Sequence, residues 1–195
     1  MTKIQIVYGS RHGGTRGIAE KVGQVLQENG IDATIEPAGV ATAASDADAF
    51  VVGSGVYMGS WLDEPLGFLA RNQAVLATRP VWLFSSGPLL GSTKEKSVED
   101  PVENALGPLE GPGSGGRKRV EALSSAVCAR DHRVFLGAFD PNDPPKAMSE
   151  RLVRMLPAAK GILPPGDFRD WPAIETWGRE IAKAMTPATP LVPAT

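Results

Sequence analysis

The stretch that most constrains the fold is residues 4–18, Ile4-Gln5-Ile6-Val7-Tyr8-Gly9-Ser10-Arg11-His12-Gly13-Gly14-Thr15-Arg16-Gly17-Ile18. A short apolar strand leads into a turn of glycines and hydroxyls, and the turn opens a helix. Ile18, Ala19, Val22, Val25 and Leu26 recur at helical spacing from Thr15 to Asn29, and Gly30 supplies a stop. This order sets backbone N–H groups and the Ser10 and Thr15 hydroxyls at a helix N-terminus, where the helix dipole favours an anion. Glycines let the backbone close on that anion without a Cβ in the way. The stretch therefore reads as a phosphate site.

The rest of the chain supplies the sheet. Ile31–Glu36 alternates as a second strand, and Ala49–Gly53 is a short buried third that empties into the Ser54–Trp61 loop. A helix is expected near Leu62–Asn72. Pro80–Ser85 is a further apolar strand, emptying into Ser86–Gly91, and His132–Gly137 is a late strand. Buried strands alternating with helices imply a parallel sheet with right-handed crossovers, whose ligands sit beyond the carboxyl ends of the strands. All three glycine-rich loops lie at that edge.

Residues 92–116 break the rhythm with a run of acids followed by Gly111-Pro112-Gly113-Ser114-Gly115-Gly116. They read as an insertion, either a solvated connector or a mobile substrate lid. Arg117-Lys118-Arg119 begins a helix to about Ala129, with the basic triplet as a solvated face and Cys128 as inert core. Lys146–Ala159 reads as another helix. Asp170 caps a final one, with Pro172 in its first turn. Along it Trp171, Ile174, Trp177, Ile181 and Met185 form a core-facing stripe. One domain is expected over 1–185, with a Pro/Thr-rich tail at 186–195.

Formal net charge is −2, so no electrostatic argument supports nucleic-acid binding. The single cysteine cannot form an internal disulfide, which fits a reducing compartment. The first apolar run ends at Tyr8, too short for a secretory segment, and no stretch approaches membrane-spanning length. The expected location is cytoplasmic, with peripheral membrane contact left open. No metal is expected.

Three phosphate loops compete for residues 9–15. A P-loop needs G-x-x-x-x-G-K-[ST]; Gly9 and Gly14 have the spacing, but Thr15-Arg16 stands where Lys-Ser/Thr is required. A dinucleotide fingerprint needs G-x-G-x-x-G; Gly53 and Gly55 begin one, but Met58 holds the third position. What remains is a monophosphate held by the Ser10 and Thr15 hydroxyls and the amides of Arg11 to Thr15.

At this point Ser10-Arg11-His12-Gly13-Gly14-Thr15 resembles the hydroxyl-x-hydroxyl-Gly-x-Thr loop of the flavodoxin-like family, with His12 in place of the middle hydroxyl. The resemblance implies an α/β fold of three layers, helices on both faces of a five-stranded parallel sheet in the order 2-1-3-4-5. It also implies one non-covalent flavin mononucleotide (FMN). The phosphate would be held by Ser10, Arg11, His12, Gly13, Gly14 and Thr15. The isoalloxazine ring would be flanked by Ser54, Gly55, Val56, Tyr57, Met58, Gly59 and Trp61, and by Ser86, Gly87, Pro88, Leu89, Leu90 and Gly91. Tyr57 and Trp61 are the candidates to stack on the ring, although Trp61 at the start of its helix equally suits burial. His12 either reaches the phosphate or points to solvent. His132 at a strand start suits a structural role.

A nearer resemblance is to the menaquinone-using protoporphyrinogen dehydrogenases of flavodoxin type. It rests on Gly53–Gly59, Phe84–Pro88, Asp131–Phe135 and Gly166–Trp171. It implies an FMN-dependent oxidoreductase, a dehydrogenase or quinone reductase acting on a small hydrophobic substrate. The alternatives are a flavodoxin-type electron carrier that docks on redox proteins and a binding module without flavin. A homodimer is compatible with each. The sequence demands no catalytic acid or base, and none is named.

Overall fold

The computed structural model describes residues 1–41, 44, 46–57, 59–87, 114–140, 142–144 and 166–186. The elements in order are β1 (Lys3–Gly9), α1 (Gly14–Glu28), β2 (Asp32–Pro37), β3 (Ala49–Tyr57), β4 (Ser60–Trp61), α2 (Asp63–Arg71), α3 (Gln73–Leu76), β5 (Val81–Gly87), α4 (Ser114–Ala126), β6 (Asp131–Leu136), β7 (Ala138–Phe139), β8 (Gly166–Asp167) and α5 (Trp171–Met185). The expected helix over 146–159, the segment 92–113 and the tail beyond 186 lie outside the described residues.

The main sheet runs β2-β1-β3-β5-β6, all parallel, with β4 folded back antiparallel on β3. Counted alone, its five parallel strands take the expected 2-1-3-4-5 order. β1 pairs Ile6 with Ile35 of β2 on one side and with Val51 of β3 on the other. The chain leaves β1 in one direction through α1 and later returns on its other flank. The crevice between the ends of β1 and β3 is therefore the topological switch point.

Period-two alternation divides the strand side chains between two cores. Ile4, Ile6, Val51, Trp82 and Phe84 face one layer with Ile18, Val22 and Leu26 of α1 and Ile174, Trp177 and Ile181 of α5. Val7, Phe50, Val52, Val81 and Leu83 face the other with Leu66 and Leu69 of α2 and Val120 of α4. Each fully buried side chain of this size contributes about 1.5–3 kcal/mol. α5 behaves as its sequence reads: Asp170 accepts from Ala173 N–H at 3.0 Å, Pro172 sits in the first turn, and the Trp177 indole donates to Asp131 at 3.0 Å.

Three expectations change. Cys128 is exposed, not core: α4 ends at Ala126, and Cys128 turns the chain with φ +51. Its N–H donates to Ser125 O and that of Ala129 to Ser124 O, a Schellman closure that ordinarily takes glycine. Arg117 is not part of a solvated face; it is 6% exposed and donates to Glu121 at 2.8 Å, while Lys118 and Arg119 stay exposed. Finally, β7 and β8 form a two-stranded antiparallel ribbon that strand periodicity did not signal.

Candidate functional site

At the end of β1 the chain turns through Ser10–Gly13 into α1. Gly13 takes φ +82, and a Cβ placed there would meet nothing within 4 Å, so the backbone conformation alone calls for glycine. Gly13 is also the N-cap of α1, and no side chain caps the helix. The first intrahelical bond runs from Gly17 N–H to Gly13 O, which leaves the amides of Gly14, Thr15 and Arg16 at the positive end of the helix dipole. The expected amide set, Arg11 to Thr15, loses Gly13, whose N–H donates to Ser10 Oγ at 3.0 Å, and gains Arg16 from the first turn of α1. A hydroxyl that accepts in this way still has its proton to donate. Thr15 is 4% exposed and directly below the turn.

Arg11 and His12 reach sideways across the crevice. The Arg11 guanidinium lies 4.6 Å over the Tyr57 ring, and the His12 ring centroid is 6.3 Å from that of Tyr57. His12 neither faces solvent nor stands alone: its Nδ1 is 2.6 Å from Asp143 Oδ2. An ionised carboxylate only accepts, so the imidazole carries a proton on Nδ1.

The second loop is shorter than expected. β3 continues to Tyr57, so Ser54, Gly55 and Val56 are strand rather than loop, and β4 pairs back antiparallel on β3 with Val56 opposite Trp61. Ser54 is fully buried; its hydroxyl donates to Gly55 O at 2.9 Å and accepts from Leu62 N–H at 3.0 Å, fixing the entry to α2. Trp61 takes the burial reading. It is 3% exposed, its indole N–H donates to Ser85 Oγ at 2.8 Å, and the His132 ring meets it edge-on at 5.6 Å. The Ser85 hydroxyl, already accepting, has its proton for His132 Nε2 at 2.9 Å, which gives His132 the structural role. Tyr57 is the half-buried aromatic of this loop: a Cβ on Gly55 would stand 2.8 Å from its ring and 3.2 Å from Thr15 Oγ1, so Tyr57 and Thr15 share one cradle.

β5 likewise runs on through Ser86 and Gly87, both buried. The site residues Met58, Pro88, Leu89, Leu90 and Gly91 lie outside the described residues. Gly59 is placed, in the turn before β4 with φ +73.

Two contributors escaped the sequence reading. Asp143 reads there as part of a turn, and Arg169 as part of a helix-start motif. Arg169 donates to Gly14 O at 3.3 Å, at the first residue of α1. Both come from far along the chain, and only the fold brings them to the turn. Arg169 also hydrogen-bonds Asp167, holding that carboxyl below its ordinary pKa. The donor set at the turn, the amides of Gly14 to Arg16 and two hydroxyls at a helix start, fits a phosphate monoester.

A family model described as a flavodoxin domain matches residues 5–138. Among solved structures, flavodoxin 1 from Bacillus cereus superposes with a TM-score of 0.56 at 13% identity, covering 95% of this chain and 100% of that one. A flavodoxin from Streptococcus pneumoniae gives a TM-score of 0.55 at 18% identity, covering 94% and 99%. The rubredoxin oxygen:oxidoreductase of Desulfovibrio gigas gives 0.54 at 16% identity; 94% of this chain is covered, but it spans only 36% of that protein. At these identities the likeness carries the fold alone. No curated protein sequence matches the chain.

Proposed function

The chain belongs to the flavodoxin-domain family, and on that premise we propose that it binds FMN at the switch-point crevice and works as an FMN-dependent oxidoreductase. The observation that carries this reading is the uncapped start of α1, with Ser10 and Thr15 beside its free amides at the junction of β1 and β3. In it, Ser10, Thr15 and the amides of Gly14 to Arg16 hold the phosphate, and Tyr57 flanks the ring. When bound, FMN supplies the electron-transfer chemistry, and the protein supplies binding, orientation and charge.

We place the reaction as dehydrogenation or quinone reduction on a small hydrophobic substrate, a porphyrinogen being the candidate from the resemblance of 131–135 and 166–171. Two features support an enzyme over a pure carrier. Arg11 brings a fixed positive charge to the crevice, and a cation there raises the electron affinity of a redox group bound beside it. A net charge of only −2 lacks the strong acidity that suits docking on basic partners. Among the described residues no helix is long and apolar enough to cross a membrane.

The test is a flavin spectrum of the purified protein with FMN titration, alongside Thr15→Leu. Wild-type protein is expected to take up FMN. The variant, with an apolar side chain in place of the buried hydroxyl, should lose it at least about a hundredfold. Unchanged affinity would overturn the placement of the phosphate. Turnover with quinones favours the enzyme; rapid exchange with a reductase and no turnover favours the carrier.

A further inference from the structure

The stretch Gly166-Asp167-Phe168-Arg169-Asp170-Trp171 does more than start α5. Arg169 is fixed on every side. Its Nε and Nη2 donate to Asp167 at 2.7 and 2.6 Å, and the guanidinium lies 4.4 Å over the Trp171 ring. Phe168 N–H donates to Gly137 O at 3.1 Å, which ties the β8 end to β7. The β7 backbone in turn abuts the turn, Ala138 N lying 3.3 Å from where a Gly14 Cβ would stand. The remaining arm, Nη1, donates to Gly14 O at 3.3 Å. A Cβ on Gly17 would come within 2.4 Å of Nη1, so the guanidinium is seated in the first turn of α1 in a space that exists because residue 17 is glycine.

Gly14 C=O and Thr15 N–H belong to the same planar peptide unit and point in opposite directions. A donor held on the carbonyl therefore sets the direction of the Thr15 N–H on the other side. It also polarises the unit, which strengthens that N–H as a donor. Building on the FMN reading above, we propose that Arg169 is a positioning residue for phosphate recognition: by holding Gly14 O it aims the Thr15 amide at the FMN phosphate. Arg169 does not touch the phosphate. It acts through one peptide bond.

The test is a fluorescence titration of flavin-free, full-length protein with FMN and with riboflavin, which lacks the phosphate. Arg169→Met should weaken FMN binding about tenfold, the effect of losing one hydrogen bond to a charged group, and leave riboflavin unchanged. Gly17→Ala displaces the guanidinium without removing it and suits a helix, so it should give the same phosphate-selective loss even if Arg169→Met folds poorly. Equal losses for FMN and riboflavin would mean a merely structural role and overturn the inference, as would wild-type FMN affinity in both variants. Wild-type protein that takes up no FMN would overturn the proposed function and this inference together.

Discussion

After β1 the chain turns through Ser10–Gly13, and after β3 it turns back through Gly59 into β4. Both stretches are rich in glycine and hydroxyls, and in sequence both read as ligand loops. Their polar groups go to different uses. Around the second turn, the Ser54 hydroxyl, the Trp61 indole and the Ser85 hydroxyl bond to one another's surroundings inside the fold. Around the first, the α1 amides have no side-chain cap, Gly13 N–H bonds Ser10 Oγ within the turn, and His12 and Gly14 O attach the turn to late parts of the chain. Burial separates the two: Trp61 is 3% exposed, while Tyr57, at the other end of the same turn, is half-buried under Arg11. On the proposed reading, a hydroxyl-rich glycine loop serves a ligand where the fold leaves its donors unbonded.

That contrast can be broken by substitution. The largest effect is expected from Trp61→Ala, which empties a buried indole site and removes the donor to Ser85. It should cost about 3–5 kcal/mol in chemical denaturation, a large share of the roughly 5–15 kcal/mol that a domain has. A loss under about 1 kcal/mol would return Trp61 to the ligand candidates. Gly13→Ala tests the first turn with the smaller stress of a side chain at φ +82, since no neighbour would collide with it. It should cost about 1–2 kcal/mol of stability, and FMN affinity should fall with it. Equal stability would mean the turn relaxes freely and is not a preset cradle.

The smallest effect concerns charge. The first turn is held partly by an ion pair, Arg169 with Asp167. The hydrogen bond from Arg169 keeps Asp167 ionised in the folded state to lower pH than in the unfolded chain. The stabilisation is therefore present above the ordinary carboxylate range, near pH 4, and fades as pH falls through the lowered folded value. Asp167 is 43% exposed, so solvent screening holds the effect below about 1 kcal/mol. Thermal melts of wild type and Asp167→Asn should differ slightly at pH 6 and converge as pH falls below the ordinary carboxylate range. A gap that persists at the acid end would mean that something other than the ionised pair is lost.

Much of this architecture is legible in sequence because it follows from periodicity. The α1 stripe, the Gly30 stop, the Asp170 cap and the alternating apolar strands each express one local rule, and each takes its expected place. The start of α1 is legible for the same reason. What escapes is set by distance along the chain. Nothing near Asp143 signals His12, and nothing near Arg169 signals Gly14, because those pairings are made by the sheet order. Ser54 and Trp61 show the limit from the other side, the sequence having left Trp61 between stacking and burial. Their types suit a ligand, and only the hairpin at β4 shows that they face inward. Cys128 misleads because the periodic run of α4 passes through it while the helix ends two residues earlier.

The hydrogen bond from Arg169 to Gly14 joins residues 155 apart in the chain. During synthesis at roughly 5–20 residues per second, Gly14 leaves the ribosome on the order of ten seconds before its partner is made. The start of α1 is thus made well before the guanidinium that it later holds. A chain that holds only β1, α1 and β3 lacks this contact, which forms once the segment carrying Arg169 has joined the fold.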